Sequence, residues 1–165
     1  MRDGDILAIP VSDSDTAFAR VVRARRGMLL VNVFPGVFTA GKDVSTDEFV
    51  GAAPVLVADT MDARLGTGDW IVAGHIAEVA DALVPIFKVY LSQTNLWHIQ
   101  DFEGNVGQKL SPAEADLLRI PKSFSPVALE KAIRGINGLD PWSERFDDLR
   151  PEWIRVARSR FVSAT

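Results

Sequence analysis

Residues 18–34, FARVVRARRGMLLVNVF, decide how this chain folds. Two runs rich in β-branched residues, Phe18–Arg25 and Met28–Phe34, flank the dipeptide Arg26-Gly27. That pattern predicts a hairpin, with Gly27 supplying the positive φ that a tight two-residue turn needs. Upstream, Gly4-Asp5 leads into a short apolar run, Ile6–Pro10, which the polar cluster Ser12–Asp15 turns back toward the hairpin. Downstream, Pro54–Ala58 and Trp70–His75 read as strands joined by the polar loop Asp59–Asp69, which holds Gly66 and Gly68. In Pro85–Leu91 the apolar Phe87, Val89 and Leu91 alternate with Lys88 and Tyr90, predicting a strand with one buried face. Leu96–Phe102 follows after Gln93-Thr94-Asn95 as its hairpin partner. Strands this short and this frequent, with no long crossover helices between them, exclude a parallel α/β sheet. The expected architecture is α+β: a strongly bent antiparallel sheet or small β-barrel over residues 1–110, followed by C-terminal helices packed on it.

The last third changes character. Ser111-Pro112-Ala113-Glu114 is a capping box with proline at the first helical position, and Pro121 ends its short helix. Ser125-Pro126 opens a second helix, in which Leu129, Ala132, Ile133 and Ile136 recur at helical spacing and Gly138 provides a left-handed stop. Asp140-Pro141 is expected to open a third, with Trp142, Phe146 and Leu149 on one stripe. Pro151 opens a fourth, with Trp153, Val156, Ala157 and Phe161 inward. No repeat and no long linker interrupts the chain, so a single domain over 1–165 is expected, mainly β over 1–110 and mainly α over 111–165.

Composition narrows the chemistry. With 165 residues, 47% of them hydrophobic, the chain can close a core without staples, and the absence of cysteine removes thiolate, disulfide and iron–sulfur chemistry. Its two histidines, His75 and His98, fall on different predicted strands, short of the three protein ligands of a catalytic zinc. Asp59, Asp62 and Asp69 lie in one loop but lack the spacing of a calcium loop. No nucleophile elbow, Walker loop or dinucleotide fingerprint is present. A protein without catalytic residues, cofactor or metal is expected. Residues 1–110 carry 9 Lys and Arg against 14 Asp and Glu, and residues 111–165 carry 9 against 8, so an acidic body precedes a nearly neutral tail. Such a body repels nucleic acid and suits a basic protein partner. The start of the chain lacks the basic, long apolar pattern of an export signal, and no run reaches membrane-spanning length, so a cytoplasmic protein away from the membrane is expected.

The segment Gly4-Asp5-Ile6-Leu7-Ala8-Ile9-Pro10, followed by Ala17-Phe18-Ala19-Arg20-Val21-Val22, resembles the start of the immunity protein 26 family of bacterial polymorphic toxin systems. Trp70-Ile71-Val72-Ala73-Gly74, the strand carrying Pro85 and Phe87-Lys88, and the helical tail are similar to that family's layout. Ala19 departs from it, standing where a glycine is expected before the arginine. The resemblance implies an antitoxin that binds and neutralises a cognate toxin, a nuclease being one candidate, and it assigns no catalytic residue. Turn carboxylates at Asp13, Asp15, Asp59, Asp62 and Asp69 are then the expected toxin-facing groups, since loops carry binding and carboxylates pair with Arg and Lys. Two alternatives from other classes stand beside it: a β-barrel module binding some other complex, and a hydrolase built on dispersed carboxylates.

Overall fold

The computed structural model describes residues 1–41, 44–77 and 82–162. By the density of its internal contacts the chain divides into two compact units. One comprises Met1–Ala82 with Ser123–Arg150, the other Leu83–Lys122 with Pro151–Thr165.

In the first unit the hairpin forms as its sequence demands. β2 (Asp15–Arg25) and β3 (Met28–Val33) pair antiparallel with Arg25 opposite Met28, and Gly27 sits at φ 76°. β1 (Asp5–Pro10) adds on one side of β2 with Ile9 opposite Ala17. The two-residue β4 (Phe38–Thr39) continues the side that β3 occupies. β5 (Leu56–Met61) pairs with β3, and β6 (Ile71–His75) with β1. β10 (Ser123–Phe124) joins β5 in parallel. The order is β10-β5-β3-β2-β1-β6, with register shifts in the β1–β6 and β2–β3 pairings where the ladder kinks. These pairings do not close on themselves among the described residues, so the sheet is open and mixed. The barrel alternative is not formed by them.

Why the central strands are apolar throughout follows from what covers them. Odd-numbered Leu7, Ile9, Ala17, Ala19 and Val21 belong to one core and even-numbered Ile6, Ala8 and Phe18 to another, so the sheet is buried on both faces. The first face is covered by α3 (Pro126–Ile136), through Leu129, Ala132 and Ile133, and by the 3-10 helix Glu144–Leu149, through Phe146 and Leu149. On the other, Phe34 and Phe49 stack at 4.6 Å, Phe49 coming from the 3-10 turn Thr46–Phe49. Ala19, the departure from the family pattern, is fully buried beneath α3's face of the sheet.

The second unit holds the three-stranded sheet β7 (Phe87–Leu91), β8 (Leu96–Gln100) and β9 (Val106–Lys109). Leu91 stands opposite Leu96, as the alternation of the sequence implies, and Asn95 takes a positive φ in the turn. The Ser111 capping box is complete: its hydroxyl accepts from the Glu114 amide, and the Glu114 carboxylate accepts from the Ser111 amide, opening α2 (Pro112–Asp116). α4 (Glu152–Phe161) buries Ile154 and Ala157.

Two expectations for the tail are corrected. Residues after Pro141 form the 3-10 helix Glu144–Leu149, not an α-helix; Phe146 and Leu149, three apart, eclipse on one side and both reach the core. On α4 Val156 is 51% exposed and its place inward is taken by Ile154, because Ile154 and Ala157 share a face three residues apart. One further helix, α1 (Ala63–Gly66), sits in the loop before β6.

Candidate partner-binding surface

The five carboxylates singled out in the sequence fall into separate places. Asp13 is exposed in the β1–β2 turn, beside half-buried Asp15, whose Oδ2 accepts from the Ser12 and Ser14 hydroxyls at 2.7 and 3.1 Å. Asp59 lies on β5, where its carboxylate accepts from Ser123 Oγ at 2.8 Å and pairs with Arg25 at 3.4 Å. The Asp62 amide donates to Gly27 O, placing Asp62 beside the hairpin turn. The β1–β2 turn opens β2 and the hairpin turn closes it, with a strand of eleven residues, roughly 35 Å when extended, between them. Asp13 and Asp15 therefore do not share a patch with Asp59 and Asp62.

Asp69 is held most firmly. Thr67 Oγ1 donates to its Oδ2 at 2.6 Å and Arg64 Nη1 at 2.8 Å, and these bonds keep its carboxyl below the usual aspartate range. Arg64 also pairs with Glu130 on α3 at 3.1 Å, and Glu130 accepts from the Trp70 indole at 2.9 Å. The loop before β6 is thus tied down on the helix by a continuous polar chain. No local signal in the sequence announces it, since Glu130 lies 66 residues from Arg64.

Asp5 is the buried acid among the described residues of this unit, 7% exposed. Burial pushes its carboxyl up, but the Arg2 amide, His75 and the Arg2 side chain donate to or face it, leaving it below its ordinary value. His75 is thereby committed to an internal bond at 3.1 Å, and His98 lies 3.1 Å from the Gly107 carbonyl. Among the described residues no three His, Asp or Glu side chains converge as metal ligands would.

The second unit contains an open groove of about 620 Å³, lined by Lys88, Tyr90, Trp97, Lys109, Pro112 and Asp116. Its chemistry is largely spoken for: Lys88 Nζ donates to the Ala115 carbonyl at 2.7 Å and sits 5.2 Å from the Trp97 ring, while the Tyr90 hydroxyl bonds Asn95. Besides Lys109 and Asp116, what remains is a largely apolar wall.

Charge divides with the units. The first carries 11 Lys and Arg against 17 Asp and Glu, the second 7 against 5, or −6 and +2.

The chain is α+β, with an open, mixed sheet in its acidic unit. The family model Immunity protein 26 matches residues 2–96, more than half of the 165, and the chain belongs to that family. No curated protein and no solved structure matches it. The matched span takes in β1 to β7, including Gly4–Pro10 at β1, Ala17–Val22 on β2 and Trp70–Gly74, whose last four residues lie on β6.

Proposed function

We propose that this chain is an antitoxin that binds a cognate bacterial toxin and blocks it, without catalysis, cofactor or metal. Membership of the Immunity protein 26 family is the observation that carries this reading. The concentration of negative charge in the unit that the family match mostly spans supports a basic partner, as a nuclease would be, and argues against nucleic acid as a direct ligand. Exposed acids such as Asp13 and Asp69 would steer encounter rather than lock the complex, because Asp69, like Asp15 and Asp59, already serves internal bonds. A cytoplasmic site of action follows from the role, and no helix of the described residues is long and apolar enough to cross a membrane.

The test is coexpression with whichever toxin domain this reading leads one to find encoded beside the gene. Cells carrying both should survive where cells with the toxin alone die, and the two proteins should copurify in fixed stoichiometry. Death despite soluble expression, with no copurification, would overturn the reading.

A further inference from the structure

The sheets of this protein end in strands of very different character. At one edge of the large sheet, β10 is two residues long, and its Ser123 hydroxyl is bound to Asp59. In the small sheet β7 is covered on its outer side by Arg119, whose carbonyl accepts from the Lys88 amide, and β9 carries the polar Gln108 and Lys109. Short length, cover and charge are the usual ways an edge is kept from pairing with another chain.

Among the described residues β6 has neither a second strand beside it nor a lysine or acid along it. It pairs with β1 and reads Ile71-Val72-Ala73-Gly74-His75, without proline. Ile71 is 59% and Val72 52% exposed, on a sheet whose inner strands are almost wholly buried. Ile71 lies opposite Ala8 and Val72 opposite Leu7, so their side chains project from the two faces of the same edge. An added strand would find backbone donors and acceptors along its line and an apolar side chain to cover on either side.

The surroundings say what kind of strand fits. The 3-10 turn Thr46–Phe49 abuts β6, with the Thr46 methyl packed directly against Gly74, and it presents Asp47 and Glu48 to solvent. At the entrance to β6 stands exposed Asp69. These carboxylates, on a unit of net charge −6, disfavour a second copy of the same acidic surface and favour a cationic one.

We infer that β6 is the docking edge for the toxin: an extended segment of the toxin, apolar in its centre and flanked by Arg or Lys, adds to the large sheet as a strand beside Ile71–His75. The inference rests on the antitoxin reading and specifies its contact.

The experiment uses the full chain and the toxin domain identified by that coexpression test, purified together. Backbone hydrogen exchange at Ile71–His75 should slow at least tenfold on complex formation. The double variant Ile71→Lys, Val72→Lys changes exposed side chains and should keep the melting temperature of the wild type while loosening the complex at least tenfold. Asp47→Asn with Glu48→Gln should chiefly slow association. A protective complex in which β6 exchange is unchanged overturns the edge assignment and leaves the antitoxin reading standing. Absence of any complex or protection removes both. A homodimer of the chain that is abolished by the lysine variant and is not displaced by the toxin overturns the assignment as well, because the edge would then be occupied by a second copy.

Discussion

Single side chains in this protein show how burial and hydrogen bonding divide the work. Asp5 sits in a buried site yet stays acidic because His75 and two groups of Arg2 favour its charged form. Its folded-state value is lowered, so its contribution to stability is present above the ordinary aspartate range and is lost as pH falls through the folded value. Asp5→Asn should therefore lower the melting temperature at neutral pH, at a cost of about 1–2 kcal/mol for the weakened bonds, and flatten the acid limb of a stability–pH profile. Thermal melts at a series of pH values check both parts. Phe146 offers a contrasting case, being 3% exposed with nothing polar to satisfy. Phe146→Ala should cost about 3–5 kcal/mol in denaturant unfolding, whereas Trp142→Ala should cost less, since Trp142 is only half-buried against it at 5.8 Å. Equal, negligible effects would mean that the 3-10 helix is not docked on the sheet.

At the level of elements, those with a local cause were legible and those with a distant one were not. The Gly27 turn, the Ser111 capping box and the Ser125 cap each depend on residues within three or four positions, and all three appear where the residues ask for them. By contrast β10 exists because Ser123 and Phe124 meet Asp59 and Thr60, and β9 because Val106 meets Gln100 across a bulged register. Neither segment has apolar alternation of its own. The stretch after Pro141 carries helical spacing in its apolar residues, but its positions 146 and 149 serve a 3-10 turn equally well, so periodicity alone chose the wrong helix. For the same reason the sequence shows the candidate carboxylates but not the distant ties around them: Ser123 reaches Asp59 from 64 residues away, and Arg64, which holds Asp69, is itself paired with Glu130 across 66. A local element invites a local test. Ser111→Ala removes the hydroxyl that caps α2 and should cost about 1 kcal/mol, read as a drop in the denaturation midpoint with unchanged slope.

For the molecule as a whole, the separation of −6 from +2 sets how it meets partners. Association with a basic toxin should slow by ten-fold or more between about 10 mM and 150 mM salt, as the screening length falls from ~30 to ~8 Å, while dissociation changes little. Stopped-flow mixing across that range checks it; a rate indifferent to salt would place recognition outside the acidic unit's field. The division into units also orders the chain in time. α3 and the 3-10 helix that roof the large sheet lie within Ser123–Arg150, while the strands they cover end before Ala82. A ribosome working at about 5–20 residues per second takes several seconds to travel from one to the other. Through that interval the nascent sheet keeps a bare apolar face, and chaperone occupancy on ribosomes should peak there. A premature stop codon anywhere before the roof is translated should yield a product destined for proteolysis, so even late nonsense mutations would leave a cell with none of the folded protein.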